Sequence, residues 1–302
     1  MTQLAIGWGP MQNFLAPRVA PLFPVDKVGD IYPIWGKERF QASRTKVGHR
    51  DLAPEASQTF SKDTYRCYNY AEKDFLPFSE YKAADAAIRY GMDQEAKLKN
   101  LKQRIYSGWE LDVAEALTTV ANFHADLVED MSSGSNRQFD DTSGPGALRL
   151  LREKRNDVRK KCGLPPDTLI LSSDTWEYLC TDKNMFGGGA TAIKLTLQDL
   201  AQLIQVKQVL VGESLVSTDK QTSSADYALA DAWGSNMAIF TVSMPEGTKE
   251  NPRTIVTFGY DWEEGYVKGE AVKRWIQNEP HGEYVSFAQC RDVKLTGRVS
   301  SK

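Results

Sequence analysis

The chain has 302 residues, 37 basic and 40 acidic side chains and a net charge of −3, with an isoelectric point near 5.8. That length suits two domains or one large elaborated domain with a substantial core. The charge argues against a protein whose task is to grip nucleic acid, because phosphate neutralisation calls for a basic excess. No run of about 18 apolar residues is present, so no membrane-spanning helix is expected. The start, MTQLAIGWGPMQNFLAPR, lacks the pattern of a signal peptide.

Residues 1–30 read as an extended arm. Pro10, Pro17, Pro21 and Pro24 interrupt helices, while Trp8, Phe14, Leu15, Val19, Leu22 and Phe23 need cover from the arm's own domain or from a neighbouring subunit. Next come two strand-like runs, IYPIWGKERFQ and TFSKDTYRCYNY, joined by a polar, turn-rich link. This is the pattern of a projecting β-hairpin over 31–79. From Lys37 to Lys73 eight basic residues stand against five acidic ones, so the hairpin is mildly cationic.

The strongest periodic signal follows. Leu98, Leu101, Ile105, Trp109, Val113, Ala116, Val120 and Phe123 recur at helical spacing, predicting an amphipathic helix from Asp93 to His124. It would be roughly 48 Å long at ~1.5 Å per residue, with Gly108 as its weak point. His124 is expected to pack on this helix rather than bind a ligand. The loop 132–146 is the best internal boundary. Beyond it lie a basic helix to Cys162 stopped by Gly163, a strand TLILS, a helix SDTWEYL with Asp174 and Glu177 as a capping pair, a helix LQDLAQLI capped by Thr196 and Asp199, and a strand KQVLVG. The cations late in the basic helix complement its dipole, and that structural role outweighs a nucleic-acid contact. From Met237 the chain is β-rich, with antiparallel strands expected in MAIFTV, RTIVTFGY, YVKGEAVKRWIQ and EYVSFAQCRDVKLTGRV.

Chemical motifs are sparse. His49, His124 and His281 have no ligand spacing, and Cys67, Cys162, Cys180 and Cys290 form no CxxC pair. Gly187-Gly188-Gly189 is followed by Ala-Thr-Ala, not by the Lys-Ser/Thr of a phosphate loop. No catalytic, cofactor-binding or metal site is expected.

The order of elements carries more information than any motif. FLAPRVAPLFPVDKVGDIYPIWGKERF, the helix around Gln94–Phe123, PPDTLILSSDTWEYL, LTLQDLAQLIQVKQVLVGESLVST and ALADAWGSNMAIF together resemble the tailed-phage major capsid proteins of the Hong Kong 97-type fold. The resemblance implies an α+β subunit with an N-terminal arm (1–30), an E-loop hairpin (31–79), a P-domain (80–145 and 237–302) and an inserted A-domain (146–236). It further implies pentamers and hexamers that close an icosahedral shell around phage DNA in the virion, without sequence-specific binding. Assembly would occur in the host cytoplasm with a scaffolding protein, a portal and a decoration protein as partners. Inter-subunit contacts are expected at Phe14, Leu22 and Phe23 of the arm, at Trp35, Lys37, Arg39, Arg44 and Arg50 of the hairpin, and at Met185, Phe186 and Gly188. Two alternatives stay open: an encapsulin-like compartment shell, and a cytoplasmic α/β enzyme with its site in 146–235.

Overall fold

The computed structural model describes residues 13–35, 60–84, 94–130, 147–181, 195–217, 229–243 and 254–296, with 42, 46–49, 52 and 55 in the hairpin link. A short helical turn α1 (Ala16–Val19) leads into strand β1 (Leu22–Val25). Strands β2 (Gly29–Trp35) and β3 (Phe60–Arg66) form an antiparallel pair with Trp35 opposite Phe60, the base of the expected hairpin. Its second strand does not continue through Cys67. The Cys67 amide turns aside to the Val28 carbonyl, and β4 (Tyr68–Pro77) joins a different sheet. After α2 (Phe78–Ala83) comes the long helix α3 (Gln94–Thr118).

Helix α3 is shorter than the periodicity predicts, about 37 Å at ~1.5 Å per residue. It ends where the β-branched run Thr118-Thr119-Val120 begins. The hydroxyls of Thr118 and Thr119 donate back to the carbonyls of Ala114 and Glu115, and the Asn122 amide donates to the Ala116 carbonyl. These bonds satisfy the terminal acceptors and stop the helix. His124 therefore lies beyond it, exposed, capping a 3-10 turn through the Asp126 amide rather than packing on α3.

The basic helix α4 (Ala147–Cys162) ends as expected at Gly163, which adopts φ 76°. Strand β5 (Thr168–Ser172) runs into α5 (Ser173–Thr181). The Ser172 hydroxyl accepts from the Thr175 amide, a contact at the helix start that the expected Asp174–Glu177 pair did not include. A serine at the strand's last position meets the first free amides before a residue inside the helix can. Helix α6 (Leu197–Ile204) carries the reciprocal Thr196–Asp199 capping box read from the sequence.

Strands β6 (Gln208–Gly212), β7 (Leu215–Val216), β8 (Ala230–Asp231), β9 (Ala238–Thr241), β10 (Ile255–Tyr260), β11 (Glu270–Gln277) and β12 (Gly282–Leu295) complete the fold. The middle sheet has the order β6-β5-β9, with β6 parallel and β9 antiparallel to β5. Strand β9, expected among the closing strands, thus lies in the middle sheet, just past the predicted limit at 236. The closing sheet has the order β1-β10-β12-β11, and β4 pairs along the other edge of β12. The 14 residues of β12 serve three antiparallel partners, while β1 runs parallel to β10.

One core cluster unites the parts: Leu15 and Val19, Trp109 and Val113 of α3, Ile170, Leu210 and Trp233 of the middle segment, and Ile255 and Leu295 of the closing sheet. Burial of such side chains, each worth about 1.5–3 kcal/mol, binds the segments into one unit. A second cluster fills the middle sheet and its helices.

Helix α3 lies on β12 through Leu101, Ile105, Val285 and Phe287. Arg291 of β12 is buried beside the long helix. It donates to Asp112 at 2.7 Å and to Gln289 at 2.6 Å, and its guanidinium sits 4.2 Å from the centre of the Tyr70 ring. A Cβ at Gly108 would stand 3.5 Å from the Arg291 Nη2, an ordinary contact. Gly108→Ala is therefore expected to stabilise the subunit by up to ~1 kcal/mol through helix propensity. A lowered thermal midpoint would mean that Arg291 needs the gap.

Candidate assembly surfaces

The hairpin is rooted in the closing sheet by aromatic packing. The rings of Tyr65 and Phe258 stack at 4.4 Å, Tyr32 lies 5.4 Å from the same ring, and Phe23 meets it edge-on. The Arg66 amide donates to Asp292 of β12 at 2.8 Å. The inner ends of β2 and β3 are therefore held against the closing sheet. Trp35 is at the outer end of β2, paired in register with Phe60. Lys37, Arg39, Arg44 and Arg50, and likewise Met185, Phe186 and Gly188 with the triple glycine and the loop 132–146, lie outside the described residues.

The arm residues sit within the subunit's own fold. Phe14 is 7% exposed and packs its ring 5.9 Å from that of Tyr106. Within the subunit it belongs to the buried residues of the fold. Leu22 packs against the central cluster and Phe23 beside Phe258, both half-buried.

The polar anchor of this segment was not foreseen. Glu110 of α3 is fully buried. Its Oε1 accepts from the Leu15 amide at 3.0 Å, from the Ser214 hydroxyl at 3.2 Å and from the Trp233 indole N–H. Its Oε2 accepts from the Ala16 amide at 2.7 Å. Four donors around one buried carboxylate offset its desolvation. The far end of the segment is held as well: Trp109 donates to the Thr257 hydroxyl, which donates to the Ala20 carbonyl at 2.8 Å. The signal for Glu110 was its place on the apolar stripe, one helical turn from Tyr106 and from Val113 and Ala114.

Exposed apolar surface gathers on β11, its preceding turn and the adjoining β12. Val267, Val272 and Ile276 are exposed, Trp262 stands on the acidic turn before β11, and Trp275 stacks on Tyr284 at 5.2 Å. Beside it, a groove of about 770 Å³ runs between α3 and β11, lined by Leu22, Leu98, Tyr106, Val267, Val272 and Phe287. Among the described residues no strand pairs with the other edge of β11. Exposed apolar patches and open strand edges are liabilities in an isolated protein and are normally covered by a partner.

Four of the seven cations of the basic helix bond within the subunit. Arg152 donates to the Leu203 carbonyl, Arg155 to Gln205, Lys154 pairs with Glu129, and Lys161 bonds Asp126. Among the described residues no group of three or more His, Cys, Asp or Glu side chains gathers as a metal site, and no helix is long and apolar enough to cross a membrane.

All four cysteines carry free thiols. Burial, reinforced by Cys290 and Asp292, pushes the Cys67 thiol up to about 12, and burial raises Cys290 also. Because the folded value of Cys67 exceeds the unfolded one near 9, its contribution to stability is whole below pH 9. It is lost as pH rises toward 12. At pH 8 an aromatic disulfide reagent is expected to label Cys162 and Cys180 in the native protein and all four thiols after denaturation. Rapid native labelling of Cys67 or Cys290 would contradict their burial.

A long helix laid across an elongated sheet, a two-stranded pair rooted in that sheet and an inserted α/β segment define the Hong Kong 97-type fold. The comparisons with known proteins agree. The chain is 21% identical to the major capsid protein of Burkholderia phage BcepMu over 267 residues, 86% of this chain and 81% of that one. A phage-related protein of Bordetella bronchiseptica superposes with a TM-score of 0.68 at 17% identity, over 98% of this chain and 93% of the other. A capsid chain of Ralstonia phage GP4 gives 0.52 at 10% identity, over 95% and 87%. Encapsulin shells share the fold. No family model matches the chain.

Proposed function

We propose that this chain is the major capsid subunit of a tailed phage, building pentamers and hexamers that close an icosahedral shell around the genome. The observation that carries the reading is the match along most of the chain, in fold and in sequence, to phage proteins that include a major capsid protein. An encapsulin-like compartment has the same fold behind it, but the sequence relative is a phage protein, and that favours the phage reading. The role is structural and needs no catalytic group or cofactor.

In this reading residues 1–30 are the arm, 31–79 the E-loop, 80–145 and 237–302 the P-domain and 146–236 the A-domain. Trp35, Lys37, Arg39, Arg44 and Arg50 of the E-loop reach a neighbouring subunit, as do Leu22 and Phe23 at their exposed edges. The groove along α3 and β11 supplies apolar surface for that overlap. Met185, Phe186 and Gly188 meet their counterparts around each capsomer. Scaffolding, portal and decoration proteins are the further partners. The product is the virion head, assembled in the host cytoplasm.

Negative-stain electron microscopy of the purified chain, alone and with its genomic neighbours, tests the function. Uniform hollow shells are expected, and packaged DNA rather than an enzyme inside them separates phage head from encapsulin. A persistent small globular species in both preparations would count against the shell and move the search to a ligand pocket in the middle segment.

A further inference from the structure

The Glu110 carboxylate joins three separate parts of the chain. It accepts two backbone amides of the N-terminal segment, an indole N–H and a hydroxyl of the middle segment, and it belongs to the long helix. The bonds to Leu15 and Ala16 run to their amides, so they fix the path of the backbone rather than recognise a side chain. From Ala20, held by Thr257, the chain reaches β1 at Leu22 and the hairpin at Gly29 within a few residues. The line from Glu110 to the hairpin root is thus short and held at each step, by Thr257, by the pairing of β1 with β10 and by the Phe23, Tyr32 and Tyr65 packing on Phe258.

We propose that Glu110 is a positioning residue for shell assembly: through Leu15 and Ala16 it ties the placement of the N-terminal segment, and with it the hairpin, to the middle segment through Trp233 and Ser214. The inference rests on the capsid reading for its consequence and on the geometry alone for the coupling. A glutamine at 110 preserves size but presents an amide donor where at least one N–H or O–H now finds an oxygen, so one donor must lose its acceptor. Loss of the Trp233 N–H would act on the N-terminal segment indirectly, by freeing the carboxylate to turn away from the two amides.

The test compares Glu110→Gln and Trp233→Phe with Val285→Ala, a cavity variant on the β12 face of the long helix that touches neither segment. Hydrogen exchange of the peptide spanning residues 13–25 and the yield of closed shells are measured on the purified full chain. The expected result is at least tenfold faster exchange at residues 15–19 and a several-fold loss of closed shells for E110Q and W233F, with wild-type values of both for V285A. Unchanged exchange in W233F, full shell yield despite a released segment, or the same losses in V285A would overturn the proposal. Were the unaltered chain to form no shells, the capsid reading would fail. The exchange rates would still decide the coupling.

Discussion

Replacing Asp112 with alanine is expected to destabilise the subunit by about 2–3 kcal/mol, below the range for a fully buried ion pair because solvent screens the Asp112 side. The guanidinium of Arg291 is 2% exposed and cannot reach solvent, whereas the Asp112 side chain is 40% exposed. Loss of the carboxylate strands a buried cation with only neutral acceptors, Gln289 and the Ile105 carbonyl. The reverse change, Arg291→Met, leaves Asp112 free to hydrate and costs mainly the buried Gln289 acceptor, about 1–3 kcal/mol. Urea unfolding of dissociated subunits measures both. A larger loss for R291M than for D112A would show that packing of the guanidinium on Tyr70 outweighs the ion pair.

The largest effect on assembly is expected from the hairpin. Removing residues 42–58 leaves β2 and β3 paired and joined by a link of seven residues, enough to close a hairpin. Because the root is held by Phe258 and Asp292, the subunit should fold with an unchanged circular dichroism spectrum. Closed shells should fall by two orders of magnitude or more. Shell closure multiplies many weak contacts, and deleting the same contact from every subunit removes that multiplication at each position. Normal shells from the shortened chain would sink the E-loop assignment.

The sequence carried the fold through its periodicities. The apolar stripe of α3, the Thr196–Asp199 capping box and Gly163 all announce themselves locally. What stayed hidden were decisions made between distant segments. Nothing in the run Phe60 to Tyr70 marks Cys67 as the point where one strand changes sheets, because that choice belongs to the Val28 carbonyl and to the pairing with β12. Strand β9 reads like its successors but pairs with β5. Glu110 and Arg291 look like ordinary charges until their register is counted. Val285, Phe287, Gln289 and Arg291 share one face of β12, and that face meets α3. The sequence leaves open what covers Phe14, and its packing against Tyr106 becomes visible only once the arm and the long helix are brought together.

The shared strand β12 also sets a timetable for synthesis. Strand β4 pairs with it over residues separated by more than 200 positions, Arg291 with Tyr68 at one end and Gly282 with Pro77 at the other. At about 5–20 residues per second of translation, β4 waits roughly 10–45 s for its partner. Throughout that interval the closing sheet does not exist, and the hairpin lacks the Phe258 and Asp292 contacts that hold its root. A nascent chain therefore cannot form the root of the hairpin until β12 has been made, so the order of synthesis places the earliest strands of the sheet among the last to be secured.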